Sequence, residues 1–364
     1  MSLIEAFAIL RSSRIVGKVM KSLNGNQGKI VRNVFCSLTR FWVVTAMALT
    51  GLSTLAQAQI FYAGQSASGK VAKVDGSVPS TFATYVGGDT QGITTDALGN
   101  VFVASGTSIY QITPGGSSSL YANYASPIAG LTMSSSGSLY GVRFSGGPLG
   151  GHDVGTYASN GTFTSLTLTN PGFVPFYPSN GLKFDGSGNL FVTNSGNGGT
   201  YGESVLKLTT ADSGASWTVS AFASYTLGST QPYDVTSDPT GNIYVSSFAQ
   251  NKTILKYDSA GVLDGTFTLS GVTGTDTKMA GMTFANGNLY SVAYGGVGGY
   301  KFWEINPTTG VATNVIGGAF MPDYRGTFLT YTAVPEPSVM ALVALGSLAL
   351  LRRRVSRKTS LGFC

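Results

Sequence analysis

Cysteine is nearly missing from this chain. The only two, Cys36 and Cys364, both lie outside residues 59–333. A disulfide framework, a cysteine nucleophile and a thiolate metal site are therefore excluded from the body. Histidine is scarcer still, with His152 alone, in the glycine-rich stretch GGPLGGHDVGTY. One His and no body Cys rule out a zinc site of the usual composition. The His152–Asp153 neighbours could do acid–base work, but no nucleophile motif accompanies them, and a solvated loop histidine is the simpler reading.

Charge is thin as well, at 10% of residues. Twelve of the 22 Lys and Arg fall in residues 1–40 and 352–358, leaving 10 in the body against 14 Asp and Glu. The formal +6 thus belongs to the two ends, and the body is net acidic by about four charges. No basic patch for nucleic acid survives that distribution. Also missing between residues 59 and 333 is any long amphipathic segment of 3.6-residue period, which argues against an α/β architecture.

Both ends carry processing signals. Phe41–Leu55, FWVVTAMALTGLSTL, follows Arg40 and leads into Ala56-Gln57-Ala58. A short apolar run with a small-x-small exit reads as a helical signal peptide cut between Ala58 and Gln59. Residues 1–58 then form that peptide with a long n-region, and Met20 is an alternative start. Cys36 has no small-residue lipobox before it and is not read as a lipidation site.

At the other end stands VPEPSVMALVALGSLALLRRR, from Val334 to Arg354. Its apolar part, Val339–Leu351, would form a helix rising about 20 Å, short of the roughly 30 Å hydrocarbon core. Pro335 and Pro337 hold Glu336 in an extended segment suited to a protease cleft. Arg352, Arg353 and Arg354 would stay cytoplasmic, with the body on the far side. Residues 334–358 resemble the PEP-CTERM sorting domain of Gram-negative bacteria, with all three parts in order. That resemblance implies passage through the general secretion machinery, transient insertion of the C-terminal helix in the inner membrane, and recognition by an exosortase. Processing near Pro335-Glu336-Pro337 and delivery to the cell surface or an extracellular polymeric matrix follow from it. Residues 359–364 are a tail, and the run-on after Arg354 is longer than usual for the family.

What fills the body is repetition. GITTDALGNVFV from Gly92, GLTMSSSGSLYGV from Gly130, GLKFDGSGNLFV from Gly181, YDVTSDPTGNIYV from Tyr233 and GMTFANGNLYSV from Gly281 align. Each unit reads as a short apolar strand, an Asp-x-x-Gly-Asn turn and an alternating strand, with a third strand and another Gly turn following. In the turn the Asp caps, while Gly and Asn accept positive φ. Units of this size with three or four antiparallel strands signify β-propeller blades. Gln59–Ala63 and Lys70–Asp75 look like later strands of a unit without an opening strand, and the segment from Ala319 looks like an opening strand with little after it. Joined, they close an all-β ring of six blades over residues 59–333, the termini sharing one blade; five or seven blades are the alternatives.

Capping accounts for Asp96, Asp185 and Asp238 without calcium, since their spacing does not supply a calcium loop's alternating ligands. Propellers bind at a funnel lined by residues just before each innermost strand. Gln91, Asn180, Tyr233, Asp234, Lys278 and Asp323 hold those positions, and Asn180, Tyr233, Asp234 and Asp323 are the ligand-binding candidates. The repeats also resemble NHL-type and gluconolactonase-type propellers. The second resemblance implies a divalent ion held by a Glu, an Asn and an Asp. Asn180 and Asp234 could serve as two of these, but Glu203 and Glu304 sit late in their units, so no metal ligand, cofactor or catalytic residue is assigned. The expectation is an exported surface or matrix propeller with a binding or structural role. Tyr beside Ser, Thr and Gly suits sugar rings, so polysaccharide is the expected partner. A lactonase- or lyase-like enzyme with a funnel metal is the alternative.

Overall fold

The repeated turns organise the molecule. In the computed structural model Asp96, Asp185 and Asp238 each accept two backbone amides with one carboxylate oxygen, from Leu98 and Asn100, Ser187 and Asn189, and Thr240 and Asn242, all at 2.8–2.9 Å. The other oxygen takes the side-chain amide of the same Asn at 2.8 Å. Gly99, Gly188 and Gly241 hold φ of 80–90°, open to glycine without a Cβ clash. The asparagine's part differs from the sequence expectation: it braces the aspartate, and only in the fifth unit does an Asn, Asn286, take positive φ, before Gly287.

The structure describes residues 58–334 except segments 65–68, 144–152, 170–177, 195–202, 273–277, 295–300, 317–328 and five single positions. Residues 1–57 of the expected signal peptide, Ala56 among them, and the sorting segment from Pro335 to Arg354 lie outside the described residues, and with them both expected helices. All described elements are strands. Among the described residues no helix is long and apolar enough to cross a membrane.

Strands β1 (Ala58–Gly64), β2 (Lys70–Asp75) and β3 (Val78–Thr84) begin the closing blade. Blade 1 is β4 (Thr90–Thr95), β5 (Val101–Ser105), β6 (Ser108–Ile112) and β7 (Ser118–Asn123). Blade 2 is β8 (Ile128–Met133), β9 (Leu139–Arg143), β10 (Asp153–Tyr157) and β11 (Phe163–Ser165). Blade 3 holds β12 (Pro178–Phe184), β13 (Leu190–Asn194), β14 (Glu203–Thr209) and β15 (Thr218–Tyr225). Blade 4 holds β16 (Pro232–Ser237), β17 (Ile243–Ser247), β18 (Thr253–Tyr257) and β19 (Leu263–Thr268). Blade 5 is β20 (Lys278–Ala285), β21 (Asn288–Tyr294), β22 (Phe302–Ile305) and β23 (Ala312–Asn314), and β24 (Leu329–Val334) comes last.

The result is a six-bladed propeller. Six four-stranded antiparallel sheets form, and the closing one has the order β24-β1-β2-β3. β24 supplies its innermost strand, paired from Ala58↔Val334 to Ala63↔Leu329. Pairing therefore reaches one residue beyond the expected 59–333 span at each end.

The core sits between blades. Each of six apolar clusters joins two neighbours, and β1 alternates between two of them: Phe61 and Ala63 pack toward blade 5, Tyr62 toward blade 1. Because both faces of a sheet meet a neighbour, β5, β13 and β17 are buried at every position. The alternation expected for these strands gives way to continuous burial, as in any sheet covered on both sides. Each fully buried Leu or Ile there is worth about 1.5–3 kcal/mol relative to an exposed one.

Candidate functional site: the axial channel

The first strands of the blades, β4, β8, β12, β16, β20 and β24, form a closed ring, each touching the one before and the one after. Five of them carry a register shift against their partner strand near the start. Such bulges bend a strand and re-aim its side chains. Toward the strand ends the ring encloses a cavity of about 700 Å³, to which every blade contributes: Thr94, Met133, Lys183, Thr236, Thr283 and Thr330 are examples.

Aligned by blade, the inner strands read Gly92-Ile-Thr94, Gly130-Leu-Thr132, Gly181-Leu-Lys183, Asp234-Val-Thr236 and Gly281-Met-Thr283, with Thr330 completing the Thr position. Two adjacent blades break the pattern with opposite charges. Lys183 replaces a threonine and Asp234 a glycine.

Asp234 is buried. One carboxylate oxygen accepts the Val235 amide at 2.8 Å, and the other accepts the Met282 amide of the next blade at 2.7 Å. Its own amide donates to Ser246 Oγ, which donates onward to the Ala280 carbonyl, both at 3.0 Å. The residue thus ties β16 to β20 through side chain and backbone alike. Burial pushes its carboxyl up to about 7, with the two amides and Lys183 pulling the other way. Burial in turn lowers the Lys183 ammonium, and the Asp234 carboxylate partly restores it. Gly181 has to be glycine for this to fit: a Cβ there would lie 2.6 Å from Asp234 Cα.

Near the starts of β16 and β20, Tyr233 stacks on Phe248 with ring centroids 5.5 Å apart and planes 22° apart. The Lys278 ammonium sits 4.3 Å from the Phe248 centroid. All three are half-buried. Of the four ligand candidates, Tyr233 and Asp234 are neighbours on β16. Asn180 lies on β12, where only its backbone is described, and Asp323 lies outside the described residues. Gln91, on β4, buries an Oε1 that has no hydrogen-bond partner among the described residues.

The glutamates have structural work. Glu203 is buried and accepts the amides of Gly228, Thr230 and Gln231 at 2.6–3.0 Å, fixing the turn into β16. Glu304 is held by Asn288. His152 lies outside the described residues, while Asp153 pairs with Arg143 at 3.2 Å and accepts from Ser165. Among the described residues no three His, Cys, Asp or Glu side chains come together as a metal cluster would require. Sequence reading named Asp234 but missed Lys183; the signal was its departure from threonine in the aligned repeat. It also missed the Glu203 clamp, whose partners lie 25–28 residues away.

Residues 333–357, starting within β24, match the protein-sorting motif described as PEP-CTERM. The chain carries a PEP-CTERM sorting motif. Such a motif marks an exported, exosortase-processed protein associated with the cell surface. No curated protein matches the sequence. The propeller is similar to a crystal structure of a protein of unknown function from Bacteroides caccae. The two are 14% identical, with 76% of this chain and all of that one covered, at a TM-score of 0.52. Similarity extends to a gluconolactonase from Xanthomonas campestris at 16% identity, covering 66% of this chain and 85% of that one, TM-score 0.47. A PQQ-bound aldose sugar dehydrogenase from Streptomyces coelicolor is 14% identical, with 68% and 83% covered and a TM-score of 0.43. At these identities the likeness is one of fold.

Proposed function

We propose that this PEP-CTERM protein is a binding component of the cell surface or extracellular matrix, and that polysaccharide is what it binds. The Tyr233–Phe248–Lys278 stack carries this reading. Aromatic rings beside a cation and neutral hydroxyls are the surface that sugar rings favour, apolar faces on the rings and polar edges on the donors. Retention of the mature protein on alginate and on an insoluble glucan tests it. Tyr233→Ala with Phe248→Ala should weaken retention about tenfold, from the loss of ring contacts worth roughly 0.5–1.5 kcal/mol each. Equal retention of wild type and double variant would sink the proposal.

The competing reading is a lactonase- or lyase-like enzyme, favoured by one observation: a buried inner-strand carboxyl, Asp234, that burial pushes up to about 7. Stoichiometric Ca²⁺ or Zn²⁺ in the purified protein, lost on Asp234→Asn, would replace the binding role with this one. For sorting, Glu336→Ala should leave the precursor unprocessed, and normal release of that variant would contradict exosortase handling.

A further inference from the structure

The cavity at the finishing ends of the inner strands is a second place, away from the Tyr233 stack. Its lining is mostly neutral: threonine hydroxyls, with aromatic side chains such as Phe184 and Phe284. Lys183 is its one cation among the described residues, and it has no ion pair within 4 Å there. The carboxylates that share the lining, Asp96 and Asp238, are engaged by turn amides. Thr283 is fully buried, lines the same cavity, and its Oγ1 has no hydrogen-bond partner among the described residues. A buried hydroxyl left without a partner costs about 1–3 kcal/mol, so something polar is expected to meet it. At about 700 Å³ the cavity lies within the range of small-ligand pockets, about 300–1,000 Å³.

We propose that the axial cavity binds a small polyhydroxy monocarboxylate, a free sugar acid or the uronate end of a chain. The Lys183 ammonium meets the carboxylate, and Thr236 and Thr283 take the hydroxyls. A monoanion suits the charge better than phosphate. Among the described residues of the lining there is one lysine and no guanidinium fork, and acidic side chains stand close by. The threonine in the equivalent position of the other blades explains why the site is on this side of the ring: only blade 3 introduces a cation there. Asp234, in the next blade, offsets part of the burial that lowers the Lys183 ammonium, and the ligand carboxylate would offset more of it.

The test uses the substitution that the other blades already make. Lys183→Thr restores the repeat, so it is expected to fold. Binding of glucuronate to the mature protein is measured by titration calorimetry, with glucose and inorganic phosphate as comparison probes. Glucuronate is expected to bind at least tenfold more tightly than either. Lys183→Thr should weaken it about ten- to hundredfold, the worth of one hydrogen bond to a charged group. Lys183→Arg should retain part of the affinity, and Thr283→Val should lose several-fold. Equal glucuronate affinity in wild type and Lys183→Thr, tighter phosphate than glucuronate, or no saturable binding of glucuronate would each overturn the proposal. The Tyr233 stack is intact in all these variants, so polysaccharide retention is read independently.

Discussion

Blades 1 and 5 present the same inner-strand pair to the axis, Gly92 with Thr94 and Gly281 with Thr283, whereas blades 3 and 4 present Lys183 and Asp234. The backbones are alike, each with an early bulge and a four-stranded sheet. Only the side chains differ. A ring of repeats demands sameness wherever the demand is geometric, so a charged departure inside a buried ring needs its own support. Asp234 has that support in two amides. Lys183 does not, and that asymmetry is what singles it out as a contact for something else.

The comparison is broken most severely at Asp234. Replacing it with Ala leaves the Val235 and Met282 amides without their acceptor, and unfolding by urea should show a loss of about 3 kcal/mol. An equal loss on Thr94→Ala in blade 1 would erase the distinction between the two regions. Acid–base behaviour sharpens it further. The folded-state pKa of Asp234, about 7, lies above that of an unfolded aspartate, near 3.9. Folding therefore favours the protonated form. The group's stabilising contribution is complete below about pH 4 and is lost as pH rises through about 7. Asp234→Asn should flatten this part of the stability profile, measured as unfolding midpoints from pH 4 to 8.

Glycine at the bulge is demanded in both regions, and here no difference is expected. A Cβ on Gly92 would lie 2.7 Å from backbone atoms of Gly130 and Leu131, and one on Gly181 would lie 2.6 Å from Asp234 Cα. Gly92→Ala and Gly181→Ala should each cost about 2 kcal/mol by overpacking, read from the same urea midpoints. Smallest of all are the turns: Asp96→Ala and Asp185→Ala should lose about 1 kcal/mol apiece and agree with each other, because their hydrogen bonds match. Disagreement there would show that the blades are not equivalent even where they look the same.

Much of the fold was legible because its determinants are local. Asp-x-x-Gly-Asn encodes its turn within five residues in blades 1, 3 and 4, and the aligned strand–turn–strand units of blades 2 and 5 extend the count. Closure was legible too, since Gln59–Ala63 is a strand in want of a partner. The burial of β13 and β17 on both faces was not, because Leu190-Phe191-Val192 reads equally as a half-exposed strand until a neighbouring sheet covers it. Glu203 was seen as a late glutamate without a task, its task being set by amides in another turn. Lys183 and Asp234 lie 51 residues apart and meet only through the ring. Their common meaning appears when the repeats are laid over one another and the exceptions are read together.

The pairing of Ala58 with Val334 has a consequence in time. Strand β1 is among the first parts of the propeller to leave the ribosome and the export channel, and β24 is the last, roughly 270 residues behind. Until β24 arrives, β1 is an open edge able to recruit the wrong strand. Contacts this distant in sequence form slowly. The sorting motif begins within the last two residues of β24, so the strand that seals the ring emerges together with the start of the signal. Assembly and address are thereby written into consecutive residues, and the last event of folding falls next to the first event of sorting.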